Sequence, residues 1–289
     1  GGDYTLVKRR NPICEVPNMD YGSMPNDGGN LVFNSDTKEE IITRDRRAIR
    51  YIKRFVMGEE LIKDIDRWSL WIEQEDLKEI RGIQPIKEII IRVKEKRQSS
   101  TREATQKLAI YPWRFGEVRQ PSEDYIALPR VSSSKRDYIP ITILKRDVIA
   151  GDKVYTISSS DRFIFGVLLS SMHMSWMRST SGRMKSDYSY SNQISYNNYP
   201  WPKNPALKKI ENVKLKAQKV LDVRAEFPES SLADLYDPIL MPPKLVKAHK
   251  ELDKAVDLSY RLQLFKSEAS RIEYLFDLYK QYTEPLLNP

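Results

Sequence analysis

A chain of 289 residues is about twice the usual ~150-residue domain, and its 40% hydrophobic and 30% charged residues suit a folded core, which excludes collagen-like, mucin-like and wholly disordered classes. The 48 basic and 40 acidic residues leave a net charge of +8, which permits a polyanionic partner without requiring one. A lone cysteine, Cys14, excludes an internal disulfide. With only two histidines, His173 and His249, set far apart, a structural zinc site or a Ser-His-Asp or Cys-His centre lacks its residues.

The chain opens Gly1-Gly2-Asp3 without an initiator Met, as expected of a piece of a longer polypeptide. It carries neither a signal-peptide core nor the ~20 apolar residues of a membrane span, so no membrane partner and a cytoplasmic location are expected. Residues 11–34, rich in Pro, Asn and Gly, read as an ordered loop leading into a strand at Leu31 to Phe33. Asp36 with Glu39 resembles a capping box ahead of one or two short helices through Ile52. Asp66 to Ile72 reads as a strand. Glu75, Asp76 and Lys78, the nearest approach to a nuclease-type carboxylate and lysine cluster, read better as a helix start. Pro85 then opens a basic helix running to about Gln98, with Ile86, Ile89, Ile90 and Val93 as its apolar stripe.

Three β-like runs follow, at Tyr125 to Leu128, Tyr138 to Leu144 and Val154 to Ile157. A helix of mostly apolar residues is expected from Asp161 to Ser179, with His173 as a packing residue inside it. From Tyr188 the alternation predicts one strand reaching Asn197. It sets Tyr188, Tyr190, Asn192, Ile194 and Tyr196 on one face and Ser189, Ser191, Gln193, Ser195 and Asn197 on the other. Beyond the proline cluster Pro200 to Pro205, helices are predicted over 206–226, 244–260 and 267–282, with His249 on a helix surface and the tryptophans mostly in the core. The reading is α+β: a mixed sheet-and-helix domain over 1–204 followed by a small all-helical domain over 205–289.

Charge follows this division. Residues 205–289 hold 14 basic and 13 acidic residues, leaving 34 against 27 in residues 1–204. Ten of those basic residues lie in residues 81–119 against four acidic ones, so one helix-centred segment carries a surplus of six.

The runs Phe165 to Arg178, Gly182 to Ser191 and Tyr196 to Pro202 closely resemble the target-recognition region of the MmeI-like DNA adenine methyltransferases, the type IIL restriction-modification proteins and their relatives. Further resemblances lie at Tyr21 to Gly29, Arg67 to Trp71, Pro129 to Arg136 and Leu232 to Pro238 with Met241-Pro242-Pro243, so the likeness covers essentially the whole chain. It implies an upstream methyltransferase domain in the same polypeptide, often preceded by a nuclease. Consistent with that, the chain lacks an Asn-Pro-Pro-Tyr type loop for a flipped adenine and a Gly-rich strand-to-helix turn for S-adenosylmethionine. The fragment itself is expected to hold no cofactor, metal or catalytic residue; S-adenosylmethionine, and Mg2+ if a nuclease is present, belong to the parent enzyme.

The expected partner is double-stranded DNA. Lys185 and Asp187 are the favoured base readers, because a lysine donates to guanine O6 or N7 while a carboxylate accepts from cytosine N4. Arg183, Ser189 and Ser191 join them on the same polar stretch. Backbone contacts are assigned to Arg130, Ser132, Ser133, Ser134 and Lys135 in a polar turn, and to Arg92, Lys96 and Arg97 on the basic helix. The competing class is a non-enzymatic adaptor whose basic helix meets acidic proteins.

Overall fold

The computed structural model describes residues 6–287, so the opening Gly1-Gly2-Asp3 lies outside the described residues. The fold is α+β, as expected. Contacts divide the chain into two compact units, one of Gly1–Asp20, Glu123–Leu144 and Tyr155–Pro289, the other of Tyr21–Ser122 and Lys145–Val154. Neither limit falls at 204/205.

In the Tyr21–Ser122 unit, a sheet runs in the order Val32–Phe33, Trp68–Leu70, Ile52–Val56, Ile149–Ala150. Its first two pairings are antiparallel and the last parallel, with Phe55 opposite Ile149. The helix Gln84–Gln98 starts with Pro85 in its first turn, where a missing N–H costs nothing. It buries Ile86, Ile89, Val93 and Arg97 at three- and four-residue spacing. The helix Ser35–Arg44 is capped two residues earlier than the sequence suggested, by Asn34, whose Oδ1 accepts from the Thr37 N–H at 3.0 Å. Glu75 and Asp76 do sit at a helix start.

The other unit carries a sheet in the order Met19–Tyr21, Val154–Ile157, Tyr125–Pro129, Thr142–Leu144 and a smaller one in the order Gly182–Met184, Asp187–Ser189, Val131–Ser132. The single helix expected over 161–179 is two, Arg162–Leu169 and Ser171–Thr180. Ser170 is extended between them, and the half-buried Asp253 carboxylate takes the Ser171 N–H and hydroxyl at 2.7 and 2.6 Å, which anchors the second helix start. The strand expected from Tyr188 to Asn197 ends at Ser189, and Asn192–Tyr196 forms a π-helical turn. Ser195 and Asn197, assigned by alternation to a solvated face, are buried. The Asn197 and Asn198 amides donate to the Arg9 and Val7 carbonyls, and the Tyr196 hydroxyl donates to Pro17 O at 2.6 Å. These polar side chains tie down the N-terminal segment. Alternation could not reveal this, because the acceptors lie some 180 residues away in sequence.

The helices Leu207–Ala225 and Pro243–Tyr260 pack on Arg162–Leu169 and share one hydrophobic core with the larger sheet. The closest approach is at Gly166, where a Cβ would stand 2.9 Å from Val213 and 3.0 Å from Ala217. Gly166→Val should therefore overpack this helix contact and destabilise the chain by about 1–3 kcal/mol or more. A lowered urea midpoint with an unchanged slope would register it; an unchanged midpoint would contradict the close packing.

Candidate nucleic-acid interface

One hairpin pairs Gly182–Met184 with Asp187–Ser189, with Arg183 opposite Tyr188. Lys185 and Ser186 make its two-residue turn, and Lys185 takes a left-handed φ of 56°. Lys185 is thus exposed at the tip of the turn and Asp187 half-buried where the returning strand begins. Arg183 lies 3.9 Å over the Tyr188 ring and donates to the Ser186 carbonyl at 3.0 Å, so it braces the turn while remaining exposed. Ser189 is half-buried. The Ser191 hydroxyl accepts from the Ile194 N–H at 3.2 Å, which makes it the cap of the π-helical turn.

The hairpin hydrogen-bonds on its other edge to Val131–Ser132, with Tyr188 opposite Ser132 and Ser189 opposite Val131. Two groups of candidates that sequence reasoning held apart, the hairpin and the polar turn, are therefore one sheet. Within the turn Lys135 is exposed, Ser133 and Ser134 are half-buried, and the Ser133 hydroxyl accepts from the Lys135 N–H at 3.3 Å. Arg130 is half-buried, its guanidinium 5.7 Å from the Tyr155 ring centroid. Ser132 departs from expectation. It is buried with its hydroxyl screened from solvent, because strand alternation turns it inward, so it cannot reach a phosphate.

Beneath this sheet, Tyr190 joins His173, whose Nε2 is 2.8 Å from the Tyr190 hydroxyl and whose Nδ1 is 2.7 Å from the Leu168 carbonyl. A carbonyl only accepts, so Nδ1 carries the proton and Nε2 accepts from tyrosine. The packing role expected for His173 agrees with this. His249 does not lie on a helix surface: it is fully buried, because the helix Pro243–Tyr260 is enclosed on more than one face. Its Nε2 is 2.6 Å from the Tyr236 hydroxyl, which also accepts from Arg224 Nε and Nη2 at 2.9 and 2.6 Å. The Tyr236 proton must therefore go to His249.

Burial pushes the His173 pKa down to about 4 and, with the nearby Arg224 charge, holds His249 well below its ordinary value. Below about pH 6.5 an unfolded chain protonates both rings while the folded chain protonates neither. Stability should accordingly fall with falling pH, by about 1.4 kcal/mol per pH unit for each histidine. Burial raises the Asp253 and Asp257 carboxyls, and their opposite linkage flattens the slope in the carboxylate range. Denaturant titrations from pH 6.5 to about 5 should give a slope that His249→Gln halves.

The basic helix belongs to the Tyr21–Ser122 unit. Lys87, Arg92, Lys94 and Lys96 are exposed along it, as is Arg102 beyond its end, and Arg92 Nε donates to Asn30 Oδ1 at 3.1 Å. Arg97 departs from expectation. It is 1% exposed, and its guanidinium donates to the carbonyls of Pro25, Asn26, Leu108, Tyr111 and Arg114 at 2.8–3.2 Å. It organises the loops instead of meeting a phosphate. The same loops explain the Tyr21 to Gly29 motif. Gly22 leaves no room for a Cβ against the Gly151 carbonyl, the Asp27 carboxylate accepts from the Gly29 and Leu31 N–H groups, and Gly28 has a φ of 66° over the Lys96 stem.

Of the tryptophans, Trp176 and Trp201 are buried, whereas Trp68, Trp71 and Trp113 are half-exposed. Among the described residues, no group of three or more His, Cys, Asp or Glu side chains is placed to hold a metal ion, and no helix is long and apolar enough to cross a membrane.

Family models agree with this chain from end to end: "MmeI, target recognition domain" matches residues 1–203 and "MmeI, C-terminal domain" matches residues 204–287. The chain belongs to the MmeI family. It is similar to DNA methyltransferase A of Bacillus subtilis (strain 168), 35% identical over 284 residues, which is 98% of this chain and 32% of that protein. It is also similar to a solved structure of the type IIL restriction-modification enzyme MmeI in complex with DNA, at 39% identity and a TM-score of 0.93, over 98% of this chain and 38% of that one. The chain thus spans about a third of the length of these MmeI-family relatives.

Proposed function

We propose that this chain is the sequence-reading region of a DNA methyltransferase of the restriction-modification class. The observation that carries the reading is the likeness, over 98% of the chain, to MmeI solved with DNA. The exposed hairpin supports it. Lys185 donates to guanine and Asp187 accepts from cytosine, so one G·C pair satisfies both. Ser189 and the free edge of Arg183 complete that face. Arg130, Ser133, Ser134 and Lys135, with Arg92 and Lys96 on the other unit, make the backbone contacts that set register. Arg97, Ser132 and Ser191 are left out of this assignment for the structural roles described above.

In this reading chemistry lies upstream in the same polypeptide: methyl transfer from S-adenosylmethionine to adenine N6 and, where a nuclease is fused, cleavage with Mg2+. The protein then works in the cytoplasm on chromosomal or invading DNA. The 1–204 and 205–289 regions differ in task while sharing a core: the first reads DNA and the second holds the reading surface in place. Two measurements test this. Affinity for duplex DNA should fall steeply between about 50 and 200 mM salt, as phosphate neutralisation demands. Methylated-adenine mapping should find one sequence for the full polypeptide and no methylation by this chain alone. Salt-independent binding to an acidic protein, with no duplex binding, would instead support the adaptor.

A further inference from the structure

The register of the hairpin decides which of its side chains share a face. Met184 stands opposite Asp187 and Gly182 opposite Ser189, so Met184, Asp187 and Ser189 project from one face of the two strands. Ser189 in turn stands opposite Val131, which continues that face onto the third strand. Burial agrees with the register. Tyr188 and Ser132, paired across the sheet, are buried, whereas Asp187, Ser189 and Val131 are half-buried and Met184 is exposed.

Met184 is the anomaly on this face. It is 56% exposed and packs in neither hydrophobic core. Its neighbours in sequence, Arg183 and Lys185, are exposed cations. The backbone beneath it is held firmly: the Met184 to Asp187 pairing closes the turn, and Arg183, stacked 3.9 Å over the anchored Tyr188 ring, donates to the Ser186 carbonyl at 3.0 Å. A long, adaptable thioether side chain is thus presented from a fixed point. Directly opposed residues of antiparallel strands have Cβ atoms about 4.5–5.5 Å apart, so whatever edge Asp187 meets lies within reach of Met184.

The chemistry of that edge selects the contact. With Asp187 on cytosine N4, and successive bases about 3.4 Å apart, the cross-strand spacing carries Met184 to the neighbouring base pair. A thioether donates no hydrogen bond and accepts one only weakly, and the protruding apolar group in the major groove is the thymine C5-methyl. We propose that Met184 is a further specificity-determining residue, its side chain packing on the C5-methyl of a thymine in the base pair next to the one read by Lys185 and Asp187. The proposal rests on the reading of the hairpin as a base-reading element. DNA is the occupant because a single apolar side chain between two exposed cations suits a polyanion with an isolated apolar group, and not a broad apolar protein face.

The test uses the full polypeptide and duplexes of its methylated sequence in which each thymine in turn is replaced by deoxyuridine, which removes the C5-methyl and leaves base pairing intact. For the wild-type protein one replacement, beside the pair read by Lys185 and Asp187, should weaken binding about fourfold, the worth of one buried methyl. Met184→Ala should no longer distinguish thymine from deoxyuridine at that position, while Met184→Leu, which keeps an apolar side chain, should retain the distinction. Thermal unfolding should be unchanged in both variants, since the side chain is exposed. A wild-type protein indifferent to every replacement, or a distinction that survives Met184→Ala, would overturn the proposal. Lys185→Glu with Asp187→Lys separates the two levels. If that reversal changes the accepted base pair while deoxyuridine has no effect, Met184 is misassigned and the base-reading hairpin stands. If it leaves the recognised sequence unchanged, the base-reading assignment is the error and the proposal falls with it.

Discussion

Arg97→Ala should be the most damaging single substitution among the charged residues of the basic helix, costing about 3 kcal/mol or more. One guanidinium supplies donors to five carbonyls, two from the Pro25–Asn26 loop and three from residues 108–114. Leaving a buried acceptor without its donor costs about 1–3 kcal/mol, and the losses here are not independent because the loops move together. Arg97→Lys should recover little, since an ammonium has three donors on one atom and cannot span the planar fork. Arg92→Ala, five residues earlier on the exposed face, should change stability by less than about 0.5 kcal/mol. Denaturant midpoints of the three variants measure the difference. Equal midpoints for Arg97→Ala and Arg92→Ala would refute the organising role, and a lowered DNA affinity for Arg97→Ala at unchanged stability would return it to the interface.

Reversing the charges of the hairpin, Lys185→Glu together with Asp187→Lys, should change which base pair is accepted at one position of the recognised sequence. A well-placed contact to a base edge discriminates by about 1–3 kcal/mol, so the preferred pair should shift by roughly 5- to 150-fold in relative affinity. The hairpin geometry makes the reversal readable. Lys185 projects from the turn and Asp187 begins the returning strand, so the two side chains are separated by Ser186 and anchored by the Met184 to Asp187 pairing. Stability should hardly move, because Lys185 is exposed and Asp187 only half-buried. Arg92→Ala provides the contrast: it should weaken all sequences evenly, without altering preference. Methylation mapped with the full polypeptide reads the result, and an unchanged methylated sequence would rule out base reading at this pair.

Periodic elements were the legible part of the sequence. The stripe Ile86, Ile89 and Val93 predicted the basic helix closely, and the helices expected over 206–226, 244–260 and 267–282 are present as Leu207–Ala225, Pro243–Tyr260 and Glu268–Leu287. Arg97 continues the buried stripe four residues after Val93, so spacing carried a signal that residue type overrode. The hairpin was hidden because a polar run with period-two alternation looks like one long strand, and the turn is made by Lys185 without a glycine. His249 was misplaced for a different reason. The Pro243–Tyr260 helix is covered on several sides, and its partners Tyr138, Arg224 and Tyr236 come from distant segments. The DNA-facing candidates were legible only as residue types; which of them face solvent depends on strand direction, and that turned Ser132 inward.

The contact at Gly166 bears on how such proteins are recombined. A chimaera joined at 204/205 would place the Arg162–Leu169 helix of one parent against the Leu207–Ala225 helix of the other, at a crossing where no side chain separates the backbone of Gly166 from Val213 and Ala217. Exchange of specificity between relatives should therefore travel with small inserts at the hairpin and the polar turn, leaving that crossing within a single parent.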